Sequence, residues 1–263
     1  MARNVAAHVD RNRQAGDMGR RRLDAHAERR GFPSEALRPD AQGVDALRQL
    51  PFQRIVIGVG MRPLAYMQSL GWVGPDVWYA HGIHFNDEEL RLLAETGTGV
   101  CHCPISNMKL SSGIARIPEM LRMGIPVGLG VDGSASNDGS NLLEELRVSY
   151  LLHRLQSSDK APSGYDLLKV ATMGGAQLLG REREIGSLEP GKCADLFLVD
   201  ARRLELVGAC YDPKAMLCTV GLKQPVDYTI INGKICVARG RLTGVDEEKL
   251  AQAAEREVRR YLA

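Results

Sequence analysis

Three strand–helix units follow one another between residues 77 and 151, and they constrain the fold more than any other feature of the sequence. Each unit begins with a short apolar run, at residues 77–81, 99–103 and 126–131. Each run is followed by a segment whose apolar residues recur at helical spacing. Strands that alternate with helices in this way form a parallel sheet, so the sequence predicts an α/β fold.

Capping signals mark the helices of these units. Asn86 precedes Glu89 by three residues, which is the spacing of a capping box, and Asn141 precedes Glu144 in the same way. Gly97 ends the first of these helices. The third helix is predicted to turn an apolar side toward the core, formed by Leu142, Leu143, Leu146, Tyr150 and Leu151. One more helix is expected over residues 165–179.

The chain divides by composition into three segments, 1–60, 61–180 and 181–263. Residues 1–60 hold eleven Arg, no Lys and seven acidic residues without a sustained period, and we interpret them as an unassigned, frame-shifted or misassembled stretch. The last segment predicts a small antiparallel unit. Its hairpin turns at Asn232-Gly233, the dipeptide that suits a type I′ turn, and a charged helix is expected over 245–262.

Composition excludes some classes of protein. Hydrophobic residues make up 44% and charged residues 25%, which is typical of a soluble globular chain. No run of eighteen apolar residues offers a membrane span. The six cysteines form no paired framework and no signal peptide is recognisable, so we expect a cytoplasmic protein. The local basicity of residues 1–60 leaves nucleic-acid binding as a weakly supported alternative, and no nucleic-acid partner is expected.

The polar residues that could take part in catalysis or binding lie at the ends of the predicted parallel strands. They are His81, His102 and Asp132. Barrel enzymes place their sites there. His84 lies three residues after His81 in an extended run, so only one of the two can face the site, and His81 is favoured. Taken alone, His81 could equally be a hydrogen-bonded structural histidine. Asn107 could hold a neighbouring ligand or be a plain turn residue.

Asp132 is the sharpest signal, because a lone carboxylate after an apolar strand needs a cation or hydrogen-bond donors. As a metal ligand it could also accept a proton from the attacking water. Cys101 and Cys103 flank His102, but no second cysteine pair lies at zinc-finger spacing, so a structural zinc site is not expected there. The two thiols are expected to pack as small apolar groups.

Three motifs together resemble the last strand ends of the amidohydrolase superfamily. They are residues 79–85, 101–108 and 131–138, which read YAHGIHF, CHCPISNM and VDGSASND. The likeness runs from about Met61 to the end of the chain. Within the superfamily, the motifs are most similar to the group that contains 8-oxoguanine deaminase, guanine deaminase and the triazine hydrolases.

The resemblance implies the C-terminal part of a metal-dependent hydrolase (β/α)8 TIM barrel, strands six to eight, with part of a flanking β-sandwich. It implies hydrolytic deamination of an aminated purine, 8-oxoguanine-like, with a small purine or triazine-like molecule as substrate. Asp132 would be the ligand of one divalent metal, zinc or alternatively iron, and the base. His81 would contact the substrate and polarise the bond, while His102 and Asn107 would line the pocket. Full-length relatives are expected to be homo-oligomers.

The sequence also departs from the family pattern. The His-x-His pair of the first strand and the His and Glu of the fifth strand are not recognisable in it. A truncated, inactive chain or a non-catalytic binding or assembly protein is therefore the alternative hypothesis.

Overall fold

The computed structural model describes residues 60–262. Of the described residues, 60–72 belong to one unit and 73–262 to a second. In the first unit the described residues include helix α1, Pro63–Ser69, which begins with a proline in its first turn. The interpretation of residues 1–59 lies outside the described residues.

A three-stranded parallel sheet confirms the predicted α/β arrangement. Its strands are β1, Trp78–Ala80, β2, Gly99–His102, and β3, Val127–Leu129, in the order β1-β2-β3. The strands are shorter than the apolar runs that predicted them. The residues that follow each strand, at its carboxyl end, form the turns on which the candidate site is built.

Helices follow each strand, as predicted, and two further short helices lie where none was predicted. The helices are α2, Asp87–Thr96; α3, Pro104–Lys109; α4, Ile117–Arg122; α5, Ser134–Asn137; and α6, Leu142–Ser157. The capping box of α2 is confirmed, with reciprocal hydrogen bonds of 2.9 Å between Asn86 and Glu89. Asn141 caps α6 differently, since its side chain accepts from the amide of Leu143 at 3.1 Å. The unexpected helices α3 and α5 lie directly after β2 and β3.

The apolar side predicted for α6 is wrong in part. Leu142 and Leu151 are 41% and 49% exposed. The buried residues of the helix are Glu145, Leu146, Ser149, Leu152 and His153. Hydrophobic periodicity assigns polar side chains to solvent, whereas this helix turns three of them inward.

A continuous helical segment after α6 corresponds to the helix predicted over 165–179. It consists of α7, Gly164–Lys169, a π-helical turn, Val170–Gly174, and α8, Gly175–Leu178. The π-helical turn packs against β3 so closely that a Cβ at Gly174 would lie 1.9 Å from the carbonyl oxygen of Val127. A glycine is therefore required for this close approach.

A four-stranded antiparallel sheet lies in the C-terminal part of the second unit. Its strands are β4, Leu196–Leu198; β5, Tyr228–Ile231; β6, Lys234–Ala238; and β7, Arg241–Leu242, in sequence order. The predicted hairpin is confirmed, because Asn232 and Gly233 both have positive φ, 48° and 75°, as a type I′ turn requires. A four-residue helix, α9, Met216–Thr219, precedes β5, and the predicted terminal helix is α10, Glu247–Leu262. Among the described helices, none combines the length and apolar character needed to cross a bilayer.

Candidate active site

His81 and Asp132 face each other at the carboxyl end of the parallel sheet. His81 follows β1 and Asp132 lies three residues after β3, and His81 Nε2 is 3.7 Å from Asp132 Oδ2. Both residues have a left-handed backbone, with φ of 67° and 64°. This conformation is uncommon outside glycine and is concentrated at functional sites. The structure therefore brings together two of the side chains that the sequence predicted.

Two serine hydroxyls hold the carboxylate of Asp132. Ser106 Oγ, on α3, donates to Oδ2 at 2.6 Å, and Ser136 Oγ, on α5, donates to the same oxygen at 2.9 Å. The hydrogen bond from Ser106 is the main reason that the pKa of Asp132 lies below its usual value, with Ser136 and His81 acting in the same direction. The carboxylate is consequently ionised at neutral pH and able to accept a proton or bind a cation.

Asn107 fixes the orientation of the His81 ring. Its Oδ1 lies 2.8 Å from His81 Nδ1. Because an amide oxygen only accepts hydrogen bonds, Nδ1 carries the proton in this arrangement. In the neutral ring, Nε2 then presents its lone pair toward Asp132. Two acceptors facing each other leave a place for a proton, a water molecule or a cation between them.

His102, the last residue of β2, is completely buried. Its Nε2 is 3.2 Å from Nε2 of His153, a residue of α6. Burial lowers the pKa of both rings, well below the usual value for His102 and to about 4 for His153. Two neutral rings in contact through Nε2 must be opposite tautomers, one donor and one acceptor. The structure gives His102 a supporting position, with its side chain away from solvent.

The neighbouring thiols interact with each other. A hydrogen bond with Cys103 lowers the pKa of Cys101, and the same bond together with burial raises the pKa of Cys103. Cys103 is buried, and both sulfur atoms lie close to Gly130 at the end of β3. They pack as small groups between neighbouring strands.

These residues supply too few ligands for a divalent metal. Zinc sites in proteins use three or four protein ligands. Asp132 and His81 are two suitable donors side by side, but residues 60–262 contain no group of three or more His, Cys, Asp or Glu side chains arranged to hold a metal ion. The described residues therefore do not complete a zinc site. The chemistry that they support by themselves is proton transfer and hydrogen bonding.

Sequence reasoning missed Ser106, Ser136, Glu145 and His153. Ser136 lies four residues after Asp132, and Ser106 directly precedes Asn107, so both stand in the predicted motifs. A search for donors next to the predicted carboxylate could have found Ser136, whereas Ser106 is 26 residues away from Asp132 along the chain. The sequence offers no comparable local signal for Glu145 and His153.

The family model of the amidohydrolase family matches residues 54–236. The chain belongs to the amidohydrolase family. The family predicted from the three motifs is therefore confirmed. Enzymes of this family hydrolyse carbon–nitrogen bonds, as the names of its relatives indicate.

Two relatives are aminohydrolases or deaminases of small heterocycles. Over 211 residues the chain is 44% identical to hydroxydechloroatrazine ethylaminohydrolase of Pseudomonas sp. strain ADP, covering 79% of this amidohydrolase chain and 44% of that protein. Over 187 residues it is 46% identical to 8-oxoguanine deaminase of Pseudomonas aeruginosa, covering 71% and 41%. The chain thus spans less than half of the length of these relatives.

A solved structure supports the fold. The crystal structure of an adenosine deaminase from Xanthomonas campestris with bound zinc superposes with a TM-score of 0.76 and 32% identity, covering 80% of this chain and 48% of that one. The described part of our amidohydrolase shows part of such a metal-dependent hydrolase fold, with three parallel strands.

Proposed function

We propose that this amidohydrolase is the C-terminal part of a metal-dependent deaminase that hydrolyses the exocyclic C–N bond of an aminated purine of the 8-oxoguanine type. The observation that carries the proposal is the ionised carboxylate of Asp132 facing His81 Nε2 at 3.7 Å. The names of the relatives support a small aminated heterocycle as substrate. The chain is 46% identical to an 8-oxoguanine deaminase and 44% identical to a triazine aminohydrolase, so both substrate classes enter the assay below, with the purine as the proposed one.

In the proposed reaction, water adds to the carbon that bears the amino group while Asp132 accepts its proton. The oxygen–carbon bond forms, and the ring nitrogen takes up the displaced electron pair. Asp132 then returns the proton to the amino group, which leaves as ammonia with the electron pair of its C–N bond. The remaining hydroxyl proton moves to the ring nitrogen as the carbonyl forms. His81, oriented by Asn107, would contact the substrate through Nε2 and help to polarise the bond under attack.

Zinc is the proposed metal, because a structurally similar deaminase contains it. When bound, such a metal activates water and polarises the substrate. Asp132 would be one ligand. We also propose a cytoplasmic location and a homo-oligomeric state for the full-length protein.

Ammonia release tests the function. The full-length protein, of which we propose this chain to be the C-terminal part, is purified, supplied with zinc and assayed with 8-oxoguanine, guanine, adenosine and an aminated triazine. We expect turnover to be highest with 8-oxoguanine and to be lost in Asp132→Asn. Asp138→Asn, in the same loop but exposed and paired with Lys109, is the matched control and should retain turnover. A folded, zinc-loaded full-length protein that releases no ammonia from any of the four compounds would contradict the proposal and favour a non-catalytic binding protein.

A further inference from the structure

Three polar side chains lie on the buried face of α6: Glu145, Ser149 and His153. They are four residues apart and therefore share one side of the helix. Glu145 is 0% exposed. The burial of a carboxylate must be compensated by hydrogen bonds or an opposite charge. The partners of Glu145 therefore show which segments it connects.

The carboxylate of Glu145 joins two separate segments. Its Oε2 accepts from the backbone amide of Ile105 at 3.1 Å, and its Oε1 accepts from Nδ2 of Asn137. Ile105 belongs to α3, which follows β2, and Asn137 ends α5, which follows β3. Both partners are neutral amides, and burial raises the pKa of Glu145 while these two bonds lower it. Each bond is therefore important for keeping the group buried.

The two segments also hold the donors to Asp132. Ser106 follows the Glu145 partner Ile105, and Ser136 precedes the other partner. We infer that Glu145 is a positioning residue that keeps the hydroxyls of Ser106 and Ser136 on the carboxylate of Asp132. The consequence for turnover rests on the proposed function, whereas the consequence for the two segments does not.

The residue pair allows a reversal of donor and acceptor. Ile105 and Asn137 donate to different oxygens of Glu145, and Glu145→Gln turns one of these oxygens into an NH2 group. The remaining oxygen can keep one of the two bonds, and the other donor then faces the NH2 group. Adding Asn137→Asp restores the missing bond in the opposite direction, because the amide at position 145 can donate to the carboxylate at position 137. That carboxylate can also keep the bond from the Ser140 amide, which is 2.8 Å from Asn137 Oδ1. The single change Asn137→Asp instead places two buried carboxylates in contact.

The test combines amide hydrogen exchange with steady-state kinetics on the full chain. In Glu145→Gln we expect faster exchange in both Pro104–Lys109 and Ser134–Asn137, and a kcat lower by about tenfold at unchanged KM. Exchange and kcat should recover in the double variant. Glu144→Gln, on the exposed side of α6, is the control and should change neither.

Each outcome is decisive. Faster exchange in only one segment, or no recovery in the double variant, overturns the positioning role. If Glu145→Gln alone does not fold, a folded double variant with wild-type exchange supports the inference and an unfolded one contradicts it. Concerted exchange changes in a chain without turnover support the role of Glu145 and contradict only the proposed deamination.

Discussion

The hydroxyl of Ser106 donates a 2.6 Å hydrogen bond to Oδ2 of Asp132. Ser106 is completely buried on α3, whereas Asp132 follows β3, so the bond connects the carboxyl ends of two neighbouring strands. It is also the main cause of the lowered pKa of Asp132. The ionised state of Asp132, the proposed base, is therefore stabilised by a residue that follows the neighbouring strand β2.

Ser106→Ala is expected to raise the pKa of Asp132, because the carboxylate loses its strongest donor while burial continues to favour the protonated form. Less of the ionised base is then present at low pH. The acidic limb of the kcat/KM profile should move to higher pH. Ser112→Ala, at an exposed serine just after α3, is the control. An acidic limb at the same pH in both variants would contradict this account.

The parallel sheet and two of its site residues could be predicted from the sequence, because the patterns that indicate them span only a few neighbouring residues. An apolar run followed by His81 or Asp132 predicts a strand and a polar strand end within a few residues. The type I′ hairpin at Asn232 was predictable for the same reason.

The residues that support the site could not be predicted from the sequence, because their hydrogen-bond partners lie far away along the chain. Ser106 is 26 residues from Asp132, Glu145 is 40 residues from Ile105, and His153 is 51 residues from His102. Periodicity treats a polar side chain on a helix as solvated unless its partner is known. The inward side of α6 was therefore mispredicted where a hydrogen-bond network replaces apolar packing.

The contact between the π-helical turn and β3 predicts opposite effects at adjacent glycines. Gly174→Ala should lower the free energy of unfolding by more than about 3 kcal/mol, because its Cβ would lie 1.9 Å from the Val127 carbonyl oxygen and both are backbone-anchored. Gly175→Ala meets nothing within 4 Å and has helical φ, so it should be neutral or stabilising by up to about 1 kcal/mol. Urea denaturation of both variants measures this difference. Equal effects would show that the close approach is absent.

The capping box of α2 gives a smaller, local prediction. Asn86→Ala removes the acceptor for the Glu89 amide and should lower the free energy of unfolding by about 1 kcal/mol. Asn141→Ala removes the single longer bond that caps α6, and a smaller loss is expected. Thermal or urea unfolding ranks the two variants. A larger loss at Asn141 would mean that reciprocal capping does not stabilise α2.

The burial of His153 makes the stability of the fold depend on pH. Burial lowers the pKa of His153 from 6.5 to about 4. Between these two pH values His153 is protonated in the unfolded chain but neutral in the folded chain. Its contribution to stability is complete above about pH 6.5 and is lost as the pH falls toward 4. Between about pH 7 and about pH 5, the free energy of unfolding should fall by about 2 kcal/mol on account of His153.

His153→Gln isolates that contribution, because glutamine does not titrate. The variant is expected to be less stable at neutral pH, having lost its fit to His102, but its stability should fall less steeply between neutral and acidic pH. Leu155→Gln, at an exposed and non-titrating position of the same helix, should retain the full wild-type slope. Urea unfolding at the two pH values gives the slopes directly. A wild-type slope in His153→Gln would assign the acid sensitivity to other groups, such as the hydrogen-bonded carboxylates, and would require His153 to be protonated inside the fold.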